Sequence, residues 1–305
     1  MITLVIGGDV HIQGRAATAF VQLEPLLKGA DLRFANLEGP LDAASAEALT
    51  SAGIDVVSCA NDLPLPSAGL GVLDHAGIAH CGAGANLDAA HAPAVVERSG
   101  GKIAFLAYTS LRHPHAAPPD FPVVAQAFAT TAYQPDPHVT EIPGRPPLVR
   151  TTPVPEHLDR LIADIKRAKS AHDHVVVSMH WGLPGAELAE YQVTYGRAAI
   201  DAGADLVAGH GSRTIQAVEV YRGRPILYGL GNLAADRPDG LLAGCMLGEE
   251  PRLELIPVRR NADNECEPLA GDEADKVLRY VAEVSALRSA KVTVQSGIAS
   301  VVVGA

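Results

Sequence analysis

Five apolar runs in this 305-residue chain stop on residues able to bind a metal or move a proton. LVIGG runs into Asp9, with His11 two positions on, and LRFANL runs into Glu38, with Asn36 just before it. VVSCA is followed by Asn61 and Asp62, VVVSM by His180, and DLVAG by His210. Carboxylate, amide and imidazole donors in one set suit a divalent transition metal such as Mn, Fe or Zn. Such an ion lowers the pKa of a bound water and polarises an oxygen of the scissile group, so that one protein base can complete a hydrolysis. Taken singly, each residue has an ordinary explanation. Asp9 and Asn61 are good caps or turn formers, Glu38 before Gly39-Pro40 suits a solvated turn, and His180 and His210 suit satisfied core positions. Five on successive strand ends favour one shared site, because ligands of open α/β sheets bind at the carboxyl ends of the strands.

The elements that must position these residues follow from the hydrophobic pattern. Strands are predicted at Ile2–Gly8, Asp31–Leu37, Asp55–Ala60, Lys102–Tyr108, His174–Met179 and Asp205–Gly209. Ala16–Leu27, Ala68–Ala76, Pro155–Lys169 and Glu187–Ala202 have helical spacing. Pro155, with Glu156 and Asp159 behind it, makes a good helix start, since Pro suits the first turn and acids suit the N-terminal dipole. Strands apolar on both faces and alternating with helices imply a covered, mostly parallel sheet. Later, Ala217–Val220, Pro225–Leu230, Leu241–Leu247 and Leu253–Val258 read as strands joined by short turns, which is an antiparallel pattern. Residues 113–155, rich in Pro and His, lack a period and read as a long loop, with His113, His115 and His138 in solvent. Val301–Val303 reads as a last strand or a surface tail.

Composition narrows the classes. Hydrophobic residues make up 48% and charged residues 19%, which excludes disorder, collagen and coiled coil as the overall class. With 24 Lys+Arg against 35 Asp+Glu the net charge is −11, no footprint for a phosphate backbone. One Trp, seven Tyr and five Phe supply few stacking platforms, so nucleic acid is not an expected partner. MITLVIGGDVH has no basic region and reads as a strand, not a signal peptide. No run reaches the ~18 apolar residues of a membrane helix, so no membrane partner is expected. Cys59, Cys81, Cys245 and Cys266 are widely spaced and read as buried free thiols. A cytoplasmic location fits these features.

The strand-end motifs lie within longer stretches: GDVHIQGR at 8–15, ANLEGPL at 35–41, SCAN at 58–61 and LDHAGIAHCGAG at 73–84. KIAFLAYTS at 102–110, VVVSMHWG at 175–182, AAIDAGADLVAGHG at 198–211 and QAVEVYRGRPILYGLGN at 216–232 continue the series. In this order they resemble the CapA family, named for bacterial poly-γ-glutamate capsule synthesis and placed in the metallophosphatase (calcineurin-like) superfamily. The resemblance covers about residues 2 to 235. It implies a four-layer α-β-β-α sandwich with mixed sheets and a site for one or two divalent ions at one edge. It also implies a single domain over 1–305, with 236–305 a C-terminal strand and helix extension packed on it. Carried over by position, the resemblance assigns metal-binding roles to Asp9, His11, Glu38, Asn61, His180 and His210, with Asn36 and Leu37 completing the NLE motif. Two positions depart from the pattern. Leu63 stands where the ANNH motif ends in histidine, and Arg213 where a GHGPH motif does. Leu63 cannot donate a proton, and Arg213 stays protonated and cannot ligate a metal, though it can clamp an anion bidentately. Asp62 either takes over an acid/base role or is a turn carboxylate.

The leading functional expectation is a metal-dependent hydrolase acting on an amide bond, γ-glutamyl among them, or an ester bond of a small anionic substrate. Asp62, His180 and Arg213 are its catalytic candidates. The alternatives are an accessory binding protein on a degenerate scaffold, and a biosynthetic or catabolic enzyme with a reshaped site. The −11 charge repels poly-γ-glutamate at long range, which argues against the polymer itself as substrate.

Overall fold

The strand Ile2–Val10 is buried on both faces toward its carboxyl end, and a strand of that kind needs cover on each side. The computed structural model, which describes residues 1–12, 18–62, 65–112, 121–235, 239–248 and 251–303, provides it in an α/β arrangement with two large mixed sheets. In the larger, ten-stranded sheet, Ile2–Val10 runs parallel to Leu32–Leu37, which is followed by Val56–Ser58 and Ala79–Cys81. On its other side Asp239–Leu247 pairs antiparallel, then Arg252–Arg260. The six-stranded sheet places His174–His180 between Gly101–Thr109 and Leu206–His210, all parallel.

The sheets share a core in which Leu4, Ile6 and Phe34 meet Ile103, Phe105 and Val176. Phe34 and Phe105 stack at 5.4 Å between ring centroids. Burying each such side chain contributes about 1.5–3 kcal/mol, so this contact between sheets is a main support of the site above it. Helices cover the outward faces. Leu161 and Ile165 of Pro155–Ala171 and Tyr195 of Glu190–Asp201 pack on the smaller sheet. Leu49 of Ala43–Ser51 and Leu73 of Ser67–Ala76 pack on the larger. The segment after residue 238 supplies five strands to the larger sheet. It also supplies the helix Gly271–Ala286, whose Leu278 and Val281 enter the core between the sheets.

Several expectations are redrawn. The described part of Ala16–Leu27 is a 3-10 turn, Val21–Leu23, and one α turn, Glu24–Leu27. Pro25 has no N–H for a longer helix to use. The helix expected from Glu187 begins at Glu190. Residues 121–155 are not a structureless loop, since Ala129–Gln134 and Leu148–Pro153 form an antiparallel pair. Most of that pair is exposed and only Pro153 is buried, so no apolar alternation marks it in the sequence. Ile298–Val301 is the last strand, earlier than the tail suggested. Leu63, His113 and His115 lie outside the described residues; His138 is exposed and pairs with Glu141 at 3.2 Å. The four cysteines are buried and unpaired. Among the described residues no helix is long and apolar enough to cross a membrane.

Candidate metal centre

The parallel strands of both sheets end at one edge, and that edge gathers the strand-end residues. One donor atom from each of Asp9, Glu38 and His180 lies within 4.8 Å of the other two. Asp9 and His180 are fully buried, and Glu38 nearly so. Asn36 ties the pair together: its Nδ2 donates to Asp9 Oδ1 at 2.9 Å and lies 3.3 Å from His180 Nδ1. His180 Nε2 then faces Glu38 Oε1 at 3.6 Å and Asp62 Oδ1 at 3.4 Å. Gly211 donates its backbone N–H to Asp9 Oδ2 at 3.2 Å. Only glycine serves there, because its φ is +83° and a Cβ would sit 2.7 Å from the His180 ring. Trp181, fully buried, anchors the loop after His180 by donating from Nε1 to the Tyr228 carbonyl at 2.8 Å.

His210 and Asn61 complete the rim. His210 is fully buried with Nδ1 3.7 Å from Asp9 Oδ1, and neither of its ring nitrogens has a hydrogen-bond partner. Asn61 donates to the Leu37 carbonyl at 2.6 Å and leaves its own Oδ1 buried and unpartnered. Asn36 Oδ1 and Glu38 Oε1 are in the same condition. Buried polar atoms ordinarily have partners, and leaving one without costs about 1–3 kcal/mol. Several orphaned oxygens and nitrogens around one carboxylate–imidazole group therefore fit a divalent cation.

The electrostatics agree. Burial, then the neighbouring Glu38, push the Asp9 carboxyl up to about 7. Burial opposes the charged form of His180, but Asp62, Asp9 and Glu38 outweigh it and raise the imidazole above its ordinary value. Burial, then His180, push His210 down to about 3, which keeps its imidazole neutral and able to ligate. The hydrogen bond from His180 holds the Asp62 carboxyl below its ordinary range, and Arg213 adds a smaller pull the same way.

Of the sequence candidates, Asp9, Glu38, Asn61, Asp62, His180 and His210 thus meet at one edge. His11 does not join the triad. It is exposed just past the strand, at a break in pairing register between Asp9 and Val10, with its ring against Gly39. Arg213 is exposed beside the cluster, within electrostatic reach of Asp62. The Gly211 amide is a contact that side-chain types do not reveal; its only trace in the sequence is a glycine directly after His210.

A family model described as bacterial capsule synthesis protein PGA_cap matches residues 3–237. The chain belongs to that family. A Mycobacterium tuberculosis protein named as a probable polyglutamine synthesis accessory protein is 39% identical over 90 residues, 29% of this chain and 24% of the relative. The Bacillus subtilis PGA biosynthesis protein CapA is 38% identical over 85 residues, 28% of this chain and 22% of the relative. An uncharacterised Sinorhizobium fredii protein is 25% identical over 304 aligned positions, 77% of this chain and 66% of the relative. The matched segment thus spans only about a quarter of the length of the Mycobacterium and Bacillus capsule relatives. As a member of the PGA_cap family with a carboxylate–histidine cluster at one sheet edge, the chain carries a candidate divalent-metal centre.

Proposed function

We propose that this PGA_cap-family chain is a metal-dependent hydrolase that cleaves an amide bond, γ-glutamyl among them, or an ester bond in a small anionic substrate. The observation that carries the reading is the cluster of orphaned buried donors around Asp9, Glu38 and His180. The two sheets packed face to face with helices outside support a four-layer metallophosphatase-like sandwich, read as one domain.

Asp9, Glu38 and His180 would hold the ion, with Asn61 and His210 as further donors, and the mixed oxygen and nitrogen set suits Mn, Fe or Zn. A divalent ion there supplies an acidified water and polarisation of the scissile oxygen. The chain's own residues do the rest. Asn36 fixes the ring of His180 through Nδ1 and so aims Nε2 at the cleft. Asp62, one-third exposed beside that Nε2, is ionised at neutral pH and accepts a proton at its carboxylate. Arg213 holds an anionic group of the substrate at the mouth.

The test is metal analysis of purified protein, joined to turnover assays on γ-glutamyl anilide, ester and phosphomonoester substrates with added Mn or Zn. Near-stoichiometric metal and turnover of an amide or ester are expected, with Asp9→Ala losing the metal and at least ~100-fold in rate. Turnover that survives loss of the metal would overturn the reading. Full metal with no turnover on any substrate favours the second reading, an accessory binding protein. The observation behind that alternative is Arg213, which stands outside the ligand group at a position where the resemblance places a metal-binding histidine.

A further inference from the structure

Beside the metal centre opens a cavity of about 560 Å³, in the size range of small-molecule sites. Arg213 forms one wall and the helix Gly271–Ala286 another. Glu273, Lys276, Val277 and Tyr280 face it at the i, i+3, i+4 and i+7 spacing that aligns side chains on one side of a helix. The acids of the wall are already engaged. Asp239 accepts from Arg259 Nε at 2.7 Å, and Glu273 accepts from Arg259 Nη1 at 3.2 Å. Arg213 and Lys276 have no ion-pair partner among the described residues. The cavity thus sets three cations, Arg213, Arg259 and Lys276, against two carboxylates, for a net charge of +1, with Arg213 and Lys276 the cations outside any ion pair. Its apolar surface comes from Ile215, Val277 and the ring of Tyr280, which is fixed because its hydroxyl donates to the Ile215 carbonyl at 3.1 Å.

The cavity is tied to the metal centre through the loop after His210, which Arg213 shares. Gly211 donates to Asp9, and two residues on, the carbonyl of Arg213 accepts from Asn232 Nδ2 at 3.5 Å. Asn232 is in turn the register partner of Asp9. Of the ten lining residues among those described, six, Lys276 and Tyr280 included, lie beyond residue 237, where the family match ends.

We infer that this cavity is a subsite for an anionic group, carboxylate or phosphate, carried on a short alkyl stem at the far end of the substrate from the bond cleaved, with Arg213 and Lys276 as its binding residues. Arg213 is then the link between subsite and reaction centre, and the C-terminal helix sets substrate choice. The net positive lining, with Arg213 and Lys276 unpaired, opposes at close range the long-range repulsion that a chain of net charge −11 exerts on an anion. The inference takes its substrate from the hydrolase reading, but anion binding is measured here without turnover, so the two fail separately.

The experiment is titration calorimetry of the full chain, as purified and after EDTA treatment, with glutarate, inorganic phosphate and, as a neutral control, glutaramide. Glutarate or phosphate is expected to bind in both states and glutaramide in neither. Whichever anion binds more tightly identifies the source of the charge. Lys276→Gln and Arg213→Gln are each expected to weaken the preferred anion about tenfold, with metal content unchanged. Lys276→Arg, which keeps the charge, is expected to stay within about threefold. Both positions are exposed, so the thermal midpoint of each variant should match that of the parent chain. No binding of either anion to the unsubstituted chain overturns the subsite, as does undiminished affinity in Lys276→Gln and Arg213→Gln. Absence of metal from the parent chain as purified, with anion binding intact, would instead count against the hydrolase reading alone.

Discussion

Two buried histidine–carboxylate clusters sit on opposite sides of the smaller sheet's strands, and they differ in how their hydrogen bonds close. In one, Asp164 accepts from Tyr108 Oη at 3.2 Å and Arg167 Nη2 at 2.7 Å, and pairs with His91 Nδ1 at 2.7 Å. No buried side-chain atom of His91, Tyr108 or Asp164 lacks a partner. In the other, Asn36, Glu38, Asn61 and His210 each leave a buried donor or acceptor unmet. The residue types are similar, so type alone does not separate a structural cluster from a site. The closed cluster pins the helix Pro155–Ala171 to the sheet. The open one costs stability until a ligand supplies the missing partners.

That contrast breaks most visibly at Asp164. Asp164→Ala removes the common acceptor, and while the exposed Arg167 can turn to water, Tyr108 and His91 cannot. A loss of about 3 kcal/mol in chemical denaturation is expected, with metal content per folded chain unchanged. A loss under ~1 kcal/mol, or a parallel loss of metal, would erase the distinction between the clusters.

At the open cluster the sign reverses. In metal-free protein the folded Asp9 carboxyl keeps its proton up to about 7, whereas its ordinary value of 3.8 applies when the chain is unfolded. Between those values the folded state binds more protons, so raising the pH from ~4 to ~7 favours unfolding. Asp9→Asn has no proton to lose. Its stability relative to the parent in EDTA should therefore improve across that window, by on the order of 4 kcal/mol. A difference that stays flat from pH 4 to 8 would place Asp9 in an environment no more costly than solvent.

The sequence exposes the open cluster better than the closed one, for a physical reason. Asp9, Glu38 and His180 each end an apolar run, and parallel strands bring such ends to one edge. Hence the α/β class and most of the site follow from pattern. His91 follows a short helix and Asp164 lies mid-helix, so nothing in local spacing joins them across 73 positions. Which strand joins which sheet is likewise hidden, because it depends on Phe34 meeting Phe105 rather than on either strand. His11 shares a two-residue period with Asp9, yet the register break after Asp9 separates them. The cavity beside the site was the least legible feature, since Arg213, Arg259, Lys276 and Tyr280 become neighbours only when the C-terminal strands and helix fold against the sheets.

The smallest effect sharpens the comparison most, because it asks whether the open side keeps Arg213 for the fold or for chemistry. Arg213 holds φ at +57°, a left-handed conformation that a non-glycine residue adopts at a cost of about 1 kcal/mol. Its side chain is exposed and makes no ion pair among the described residues, so little in the fold repays that cost. Arg213→Gly relieves the backbone while adding freedom to the unfolded chain, and the two nearly offset. Stability should change by no more than about +0.5 kcal/mol, while affinity for glutarate or phosphate falls about tenfold. A stability loss above ~1 kcal/mol with anion affinity intact would mean that the side chain serves the fold. The strained arginine would then belong with the closed cluster, as a structural residue.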